Sequence, residues 1–477
     1  MVSAVRVLSS SVHIQYRASA FWGQGKSMSA FLQMVCSFVA VCSFAGCLLI
    51  CRLSVHLQAV CSFVDCLLIC RLAASFVDRC ESGLYDRLMR KFELIVPCHF
   101  GLEAVLKKEI IDLGYEISNV TDGRVTFLGD AEAVCRANIF LRTAERVLIQ
   151  IGRFHAETYD ELFEKTKSLP WEEWIPENGK FWVTKAASVK SKLFSPSDIQ
   201  SIMKKAMVER MKQSYHKEWF PEDEESFPLR VFLMKDEVTI GLDTTGDSLH
   251  KRGYRRLTAK APIAENLAAA LIMLTPWNKD RILVDPFCGS GTIPIEAAMM
   301  AAGIAPGAER NFTAQAWGHL IAKKQWYDAV DEAREGVNLQ IDTDIQGYDA
   351  DDDMIRISRE NAKLAGVDGL IHFQKRDVAA LSHAKKYGFL ITNPPYGERL
   401  LEKEELSALY RTLGERYRNL DEWSLCMITS YEQAEKAIGR KADKNRKIYN
   451  GMMQTYYYQF MGAKPPKKPR ERTMDVS

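Results

Sequence analysis

Apolar and polar positions between residues 90 and 250 switch repeatedly between a strand period and a helix period, the pattern of an α+β module. Phe92 to Val96 reads as a short strand. A helix follows at about 101–113, with Leu102, Val105, Leu106, Ile110 and Leu113 on one face, and Gly114 closes it. GRVTFLGD (123–130) reads as a strand, and 131–154 as a helix and then a strand. A helix near 158–167, a strand across FWVTKAASVKSKLF (181–194), a helix at about 197–212 and a hairpin-like pair at 229–246 complete this half. From about 255 the rhythm becomes regular. Strands are predicted at RILVDPFC (281–288), IQGYDAD (345–351), IHFQKRD (371–377), FLITNPPYG (389–397) and LCMITS (425–430). Helices are predicted between them at TIPIEAAMMAAG (292–303) and MIRISRENAKLAGV (354–367). Strands alternating with helices imply a mostly parallel sheet covered on both faces, with ligands beyond the carboxyl ends of the strands.

The first ninety residues follow neither rhythm. VCSFAGCLLICRL at 41–53 recurs as VCSFVDCLLICRL at 60–72, and a partial copy, VCSF, begins at Val35. Stacked repeat proteins tolerate drift between units and need at least three units, so a short near-identical duplication reads better as a repeat of the coding sequence. Residues 1–88 are therefore expected to be translated upstream sequence, with the working protein beginning at Met89. The alternatives are a membrane span over the charge-free run Phe31 to Cys51, or a targeting signal around Arg6 and Arg17. Eight of the twelve cysteines lie in this region with the spacing of the repeat. The remaining four are scattered singly, so no metal site is expected and the main body reads as a reduced, cytoplasmic protein.

Composition narrows little. A hydrophobic fraction of 47%, a charged fraction of 26% and a net charge of +2 over 477 residues are those of a globular chain of several domains. The overall charge neither demands nor excludes a nucleic-acid partner, so local distribution must decide. Lys185, Lys190 and Lys192 lie beside aromatic residues in the strand at 181–194, which suits an RNA surface. The same lysines could simply protect a sheet edge, and on this stretch alone that second reading is slightly the stronger.

Four loops at the carboxyl ends of predicted strands carry the chemistry. In DPFCGSGT (Asp285, Pro286, Phe287, Cys288, Gly289, Ser290, Gly291, Thr292) the glycines Gly289 and Gly291 allow a ligand to approach the backbone. No Gly-Lys-Ser/Thr follows, which excludes a P-loop. Pro294 occupies the third glycine position of a dinucleotide fingerprint, and acidic Asp285 suits a ligand with a cationic amino-acid end, such as S-adenosyl-L-methionine. In GYDAD, Asp349, followed by Ala350, is placed to accept hydrogen bonds from ribose hydroxyls. In KRDV, Asp377 could bond an adenine amino group or could cap a helix. In NPPYG, the Asn393 side-chain carbonyl and the Pro394 backbone carbonyl can accept the two hydrogens of a base amine. Pro394 and Pro395 hold the turn rigid, and Tyr396 can stack on the base.

With these motifs in place, the chain from Met89 to about Gly462 resembles the bacterial large-subunit rRNA guanine-N2 methyltransferases, in the single-methyltransferase form of Gram-positive bacteria. The resemblance rests on HKRGYR (250–255), APIAENLAAALI (261–272), DPFCGSGTIPIEAA (285–298), IAPG (304–307), GYDAD and TNPPYGERL. It implies an α/β fold with a Rossmann-like class I methyltransferase domain (251–462), preceded by a ferredoxin-like lead-in (89–150) and a THUMP-like RNA-binding domain (151–250), with a basic tail at 463–477. It implies S-adenosyl-L-methionine as cofactor, with Pro262, Glu265 and Asn266 beside it. It also implies 23S rRNA or an assembling large subunit as partner, with neither a metal nor a membrane partner. An insertion, GIAPGAERNF (303–312) with AQAWGHLIAKKQW (314–326), is expected to shape the substrate side of the pocket. A fragment starting near 250 is expected to bind cofactor but to methylate RNA poorly. The alternatives are a tRNA guanine-N2 or DNA adenine-N6 methyltransferase, and, in another class, a non-catalytic RNA-binding or ribosome-assembly protein. The intact Asn393-Pro394-Pro395-Tyr396 loop argues against the last.

Overall fold

The computed structural model describes residues 90–255, 263–396, 403–451 and 453–466. The expectations about 1–88, about Pro262 and about most of the tail lie outside the described residues.

The amino-terminal half is one seven-stranded sheet. Its strands are β1 (Phe92–Pro97), β2 (Glu116–Thr121), β3 (Arg124–Gly129), β4 (Leu148–His155), β5 (Lys180–Val189), β6 (Ser226–Met234) and β7 (Glu237–Asp243), in the order β2-β3-β1-β4-β7-β6-β5. Four helices accompany them: α1 (Glu103–Asp112), α2 (Ala131–Phe140), α3 (Tyr159–Lys167) and α4 (Pro196–Tyr215). Three helix starts follow from local chemistry. The Asp130 side chain accepts from the Ala133 N–H at 3.0 Å, Thr158 accepts from Glu161, and Ser195 accepts from Asp198 with Pro196 in the first turn. Strand β4 pairs antiparallel with β1 on one side and with β7 on the other, so the sheet is continuous across residue 150. The sequence pattern missed β2 because, as a mostly exposed edge strand, it shows no apolar alternation.

The carboxyl-terminal half is a second seven-stranded sheet, formed by β8 (Leu283–Asp285), β9 (Ile345–Asp349), β10 (Ile371–Lys375), β11 (Phe389–Thr392), β12 (Ser424–Thr429), β13 (Lys444–Asn450) and β14 (Met453–Phe460). The order is β10-β9-β8-β11-β12-β14-β13. The first five strands are parallel, and β14 runs antiparallel between β12 and β13. Every residue of β8, β11 and β12 is buried, which is why these strands read as continuous apolar runs. Helices α5 (Glu265–Met273), α6 (Thr292–Ala301), α7 (Lys323–Glu335), α8 (Asp352–Leu364), α9 (Lys403–Arg418) and α10 (Ala434–Ile438) connect and cover them. From β8 the chain winds outward through β9 to β10 and then returns to place β11 on the other side of β8. The crevice between β8 and β11 is therefore the topological switch point, where such sheets bind ligands.

The insertion between α6 and β9 goes elsewhere than expected. Trp317 stacks on Phe227 of β6, with ring centroids 5.1 Å apart and planes at 14°, and its indole N–H donates to the Ser226 carbonyl at 2.9 Å. The Gly307 N–H donates to the Ile139 carbonyl at 2.8 Å, and that of Ala314 to Thr244 at 3.0 Å. Helix α7 turns Trp326, Ala329 and Ala333 inward, while Arg136 clamps Glu332 through two bonds of 2.8 Å. Phe312, Trp317 and Trp326 thus belong to the core of the first sheet and not to a pocket wall. They are large apolar side chains on a segment that has no sheet of its own to cover them.

A buried ionic cluster joins the halves where HKRGYR passes between them. Arg252 faces Glu296 of α6 at 3.4 Å with both side chains almost inaccessible, and the Tyr254 hydroxyl donates to the same carboxylate at 3.1 Å. Arg252 also donates to the carbonyls of Leu249 and Arg142, and Arg142 donates to that of Ile304 at 2.6 Å. Removing one partner of such a pair leaves a charge buried alone, so the motif acts as a clasp.

Candidate active site

The four strand-end loops meet at the carboxyl edge of β10, β9, β8 and β11, which are consecutive in the sheet. Asp285 ends β8 opposite Gly347, and Asp349 ends β9 opposite Lys375. Asp285 is buried. Its carboxylate accepts the Thr392 hydroxyl at 2.6 Å and the Phe287 N–H at 3.1 Å, which ties the glycine loop to the residue before Asn393. Asp349 accepts the Gly289 N–H at 3.0 Å with one oxygen and the Asp351 N–H at 2.9 Å with the other. A carboxylate has about four acceptor positions, so these bonds leave capacity for hydroxyl donors. Burial pushes the Asp285 carboxyl up to about 7, against its bonds from Thr392 and Phe287, and nearby Asp349 adds to the rise. Burial also raises Asp349, again against backbone donors. Among the described residues no cation offsets either shift, so the crevice is poised for a positively charged group.

The two glycines are not equivalent. Gly291 (φ +84°) packs inward, and a Cβ there would meet the Ser358 side chain at 2.9 Å and Phe373 at 3.1 Å. Gly289 (φ +50°) faces open space, with nothing within 4 Å of such a Cβ. Only Gly289 therefore leaves room for a ligand to approach the backbone, and Gly291 serves the packing of α6 against α8 and β10. Cys288 is buried, its N–H donates to the Tyr348 carbonyl at 2.8 Å, and burial keeps its thiol well above the ordinary range. Pro286, Ser290 and Thr292 are buried in the same turn, whereas Ala350 is exposed. Asp377 is exposed and accepts the Ala379 N–H at 2.7 Å, the helix-cap arrangement that its sequence context allowed.

At the end of β11, the Asn393 side-chain oxygen is buried and, among the described residues, receives no hydrogen bond. Leaving a buried carbonyl unpaired costs about 1–3 kcal/mol, which marks it as an acceptor awaiting a donor. Pro394 is buried, and the Pro395 carbonyl accepts from the Tyr410 hydroxyl at 3.2 Å. The Tyr396 hydroxyl accepts from the Asn450 side chain at 2.9 Å, which fixes the ring. Sequence reading missed Thr392 and Asn450. Thr392 had a weak signal, since it precedes the motif directly. Asn450 had none, since it comes from β13.

Glu265 and Asn266 open α5, whose far end is bonded to β14 through Tyr457 and Gln459. Glu265 pairs with Arg255 at 2.9 Å, and burial pushes its carboxyl up to about 7 despite that arginine. Asn266 donates to the Ala144 carbonyl of the first half at 3.4 Å. In the first sheet Lys185, Lys190 and Lys192 are exposed along the edge strand β5 and just after it. Lys192 is ion-paired with Glu157, so its charge is not free for a phosphate. Among the described residues no group of three or more His, Cys, Asp or Glu side chains could hold a metal ion, and no helix is long and apolar enough to cross a membrane.

This architecture has known relatives. Residues 93–148 match the RlmL ferredoxin-like domain, 156–243 the THUMP domain, and 252–459 the RMKL-like methyltransferase domain. The chain is 46% identical over 384 residues to a Bacillus subtilis (strain 168) protein named "Putative RNA methyltransferase YpsC", covering 80% of this chain and 99% of that one. It is 36% identical to the "Ribosomal RNA large subunit methyltransferase K/L" of Syntrophotalea carbinolica, of whose length it spans 54%. Among solved structures it is similar to SMU.472, titled "a putative methyltransferase complexed with SAH", with a TM-score of 0.75, 40% identity and coverage of 79% of this chain and all of that one.

Proposed function

This chain belongs to the RMKL-like family of S-adenosylmethionine-dependent methyltransferases with a THUMP domain, and we propose that it methylates an exocyclic base amine in RNA, namely N2 of a guanine in 23S rRNA. The observation that carries the reading is the buried oxygen of Asn393 at the end of β11, beside the Asp285 and Asp349 loops, which receives no hydrogen bond among the described residues.

The residues present fit the cofactor. Gly289 leaves its backbone open, and among the described residues the buried Asp285 and half-buried Asp349 carboxylates lack a cation and the Asn393 oxygen lacks a donor. Asp285 would hold the cationic amino-acid end, Asp349 the ribose hydroxyls and Asp377 the adenine amine, with Pro262, Glu265 and Asn266 beside them. Once bound, the cofactor supplies an electrophilic methyl group. The chain's own residues must make a poor nucleophile competent. A base amine shares its lone pair with the ring. By accepting its two hydrogens, the Asn393 side chain and the Pro394 carbonyl favour a pyramidal nitrogen and stabilise the charge that develops there. Pro394 and Pro395 hold those acceptors in advance, so no reorganisation cost falls on the reaction. Tyr396, its hydroxyl anchored by Asn450, offers its ring to the base.

Residues 89–250 are assigned to RNA affinity and 251–462 to chemistry, with Lys185 and Lys190 as phosphate contacts on the exposed edge. The test is methyl transfer from labelled cofactor to rRNA, tRNA and DNA, each purified from cells lacking this gene, followed by mass mapping. Label at guanine N2 in 23S rRNA is expected. Label only in tRNA, or only at adenine N6 of DNA, would replace the proposed target. Absence of transfer to any nucleic acid, with cofactor still bound, would favour a non-catalytic role.

A further inference from the structure

We propose that Phe100 and Tyr449, with Lys447 beside them, form a stacking platform for an unpaired base of the RNA substrate. The inference rests on the reading above that the substrate is RNA. Phe100 lies in the turn between β1 and α1 and is 44% exposed. Its ring meets that of Tyr449, near the end of β13, edge to face, with centroids 6.0 Å apart and planes at 76°. The Lys447 ammonium sits 5.3 Å from the centroid of the Tyr449 ring. Two rings and a cation from distant parts of the chain thus share one surface.

The turn that presents Phe100 is held rigidly. Gly101 has φ +91°, and a Cβ on it would come within 2.6 Å of the Lys447 carbonyl, so the turn lies directly against β13. The Glu103 carboxylate accepts the Gly101 N–H at 3.0 Å and the Gly123 N–H at 2.7 Å, which fixes the turn from the other side. The strand that bears the platform also reaches the site. Asn450, the residue after Tyr449, donates to the Tyr396 hydroxyl at 2.9 Å. Strand β13 thus connects the platform to the Tyr396 loop, with Tyr449 and Asn450, as successive strand residues, turned to opposite faces.

Charge supports an RNA occupant. The segment 440–451 carries Arg440, Lys441, Lys444, Arg446 and Lys447 against the single acid Asp443. Arg440 takes Asp443 at 2.6 Å, which leaves Lys444, Arg446 and Lys447 without a carboxylate partner among the described residues. Lysines that only shield a sheet edge would explain the charge on β13. They would not explain an aromatic partner supplied by another domain. Basic residues beside rings that can stack on bases are what unpaired RNA requires.

The test measures RNA affinity and single-turnover rate on unmodified rRNA from cells lacking this gene. Phe100→Ala and Tyr449→Ala are each expected to weaken RNA binding about tenfold, in the range for one stacked base. Cofactor affinity and the rate at saturating RNA should stay near wild type. Phe100→Tyr and Tyr449→Phe should retain binding. Phe100→Leu, which keeps bulk but loses the ring, should not. Lys447→Ala should reduce the slope of log affinity against log salt by about one. Full binding by Phe100→Leu, or wild-type binding by both alanine variants, overturns the platform while leaving the methyltransferase reading intact. A wild-type chain that methylates no RNA overturns both.

Discussion

Asn393 holds a buried carbonyl that, among the described residues, has no donor, and this sets an expectation that a merely structural asparagine would not meet. Asn393→Ala should lower the single-turnover methylation rate by about 10²–10³-fold, by analogy with the loss of one preorganised charge-stabilising group. Its melting temperature should not fall, because the substitution removes an unsatisfied polar atom rather than a bond. Rapid-quench kinetics beside a thermal melt would show both, and a wild-type rate would dismiss the amine-activating role. Asp285 sets a pH dependence. Burial raises its carboxyl from an ordinary value of 3.8 to about 7, so the folded chain keeps a proton that the unfolded chain releases. The associated stability is present in full below about pH 3.8 and is lost as pH rises through about 7. A cation bound there favours the carboxylate, so cofactor affinity should fall about tenfold per pH unit below about 7. Titration calorimetry over that range checks it. Asp285→Asn, which can still accept from Thr392 and Phe287, should flatten the dependence, and an unchanged profile would place the cation elsewhere.

At the scale of elements, the loop between β8 and α6 divides two tasks between two glycines. Gly291→Ala forces a Cβ against Ser358 and Phe373 in a left-handed conformation, so α6 must move away from α8. A loss of about 2–4 kcal/mol is expected, from strain and overpacking together. Gly289→Ala carries the strain without the clash and should cost about 1 kcal/mol, with its main effect on cofactor binding. Denaturant melts of the pair decide this, and equal losses would mean that the close approach at Gly291 does not govern the loop. The insertion behaves likewise. Trp317→Ala removes the stack on Phe227 and the bond to Ser226, and should cost about 3–5 kcal/mol although Trp317 lies outside the sheet it supports.

For the whole molecule, the docked insertion changes what a fragment can do. Residues 251–462 without the first sheet would expose Phe312, Trp317 and Trp326, and would break the contacts from Arg252 to the Arg142 carbonyl and from Asn266 to the Ala144 carbonyl. Such a fragment is therefore expected to aggregate, in place of the cofactor-binding competence that its motifs alone suggested. The chain from Met89 should unfold in one calorimetric transition spanning both sheets. A soluble, cofactor-binding fragment with its own cooperative melt would show that the interface is dispensable.

Much of this molecule was legible from residue order alone. Strands β8, β11 and β12 are buried on both faces and so announce themselves as mainly apolar runs, α6 after β8 is likewise buried almost throughout, and α8 after β9 shows clear helical periodicity. The four chemical loops could be ordered because each follows its strand directly, and the DPFCGSGT and NPPYG motifs are local in sequence. What the sequence could not supply are the relations that depend on chain return. Strands β13 and β14 carry polar and aromatic residues without clean alternation, and the antiparallel place of β14 between β12 and β13 is set by packing. The bond from Thr392 to Asp285, the anchoring of Tyr396 by Asn450, the difference between Gly289 and Gly291, and the burial of Trp317 in the other half all join residues far apart in the chain. Local periodicity determines which face of an element is apolar. Only the tertiary fold determines what covers that face, and here it turned an expected pocket wall into the joint between two sheets.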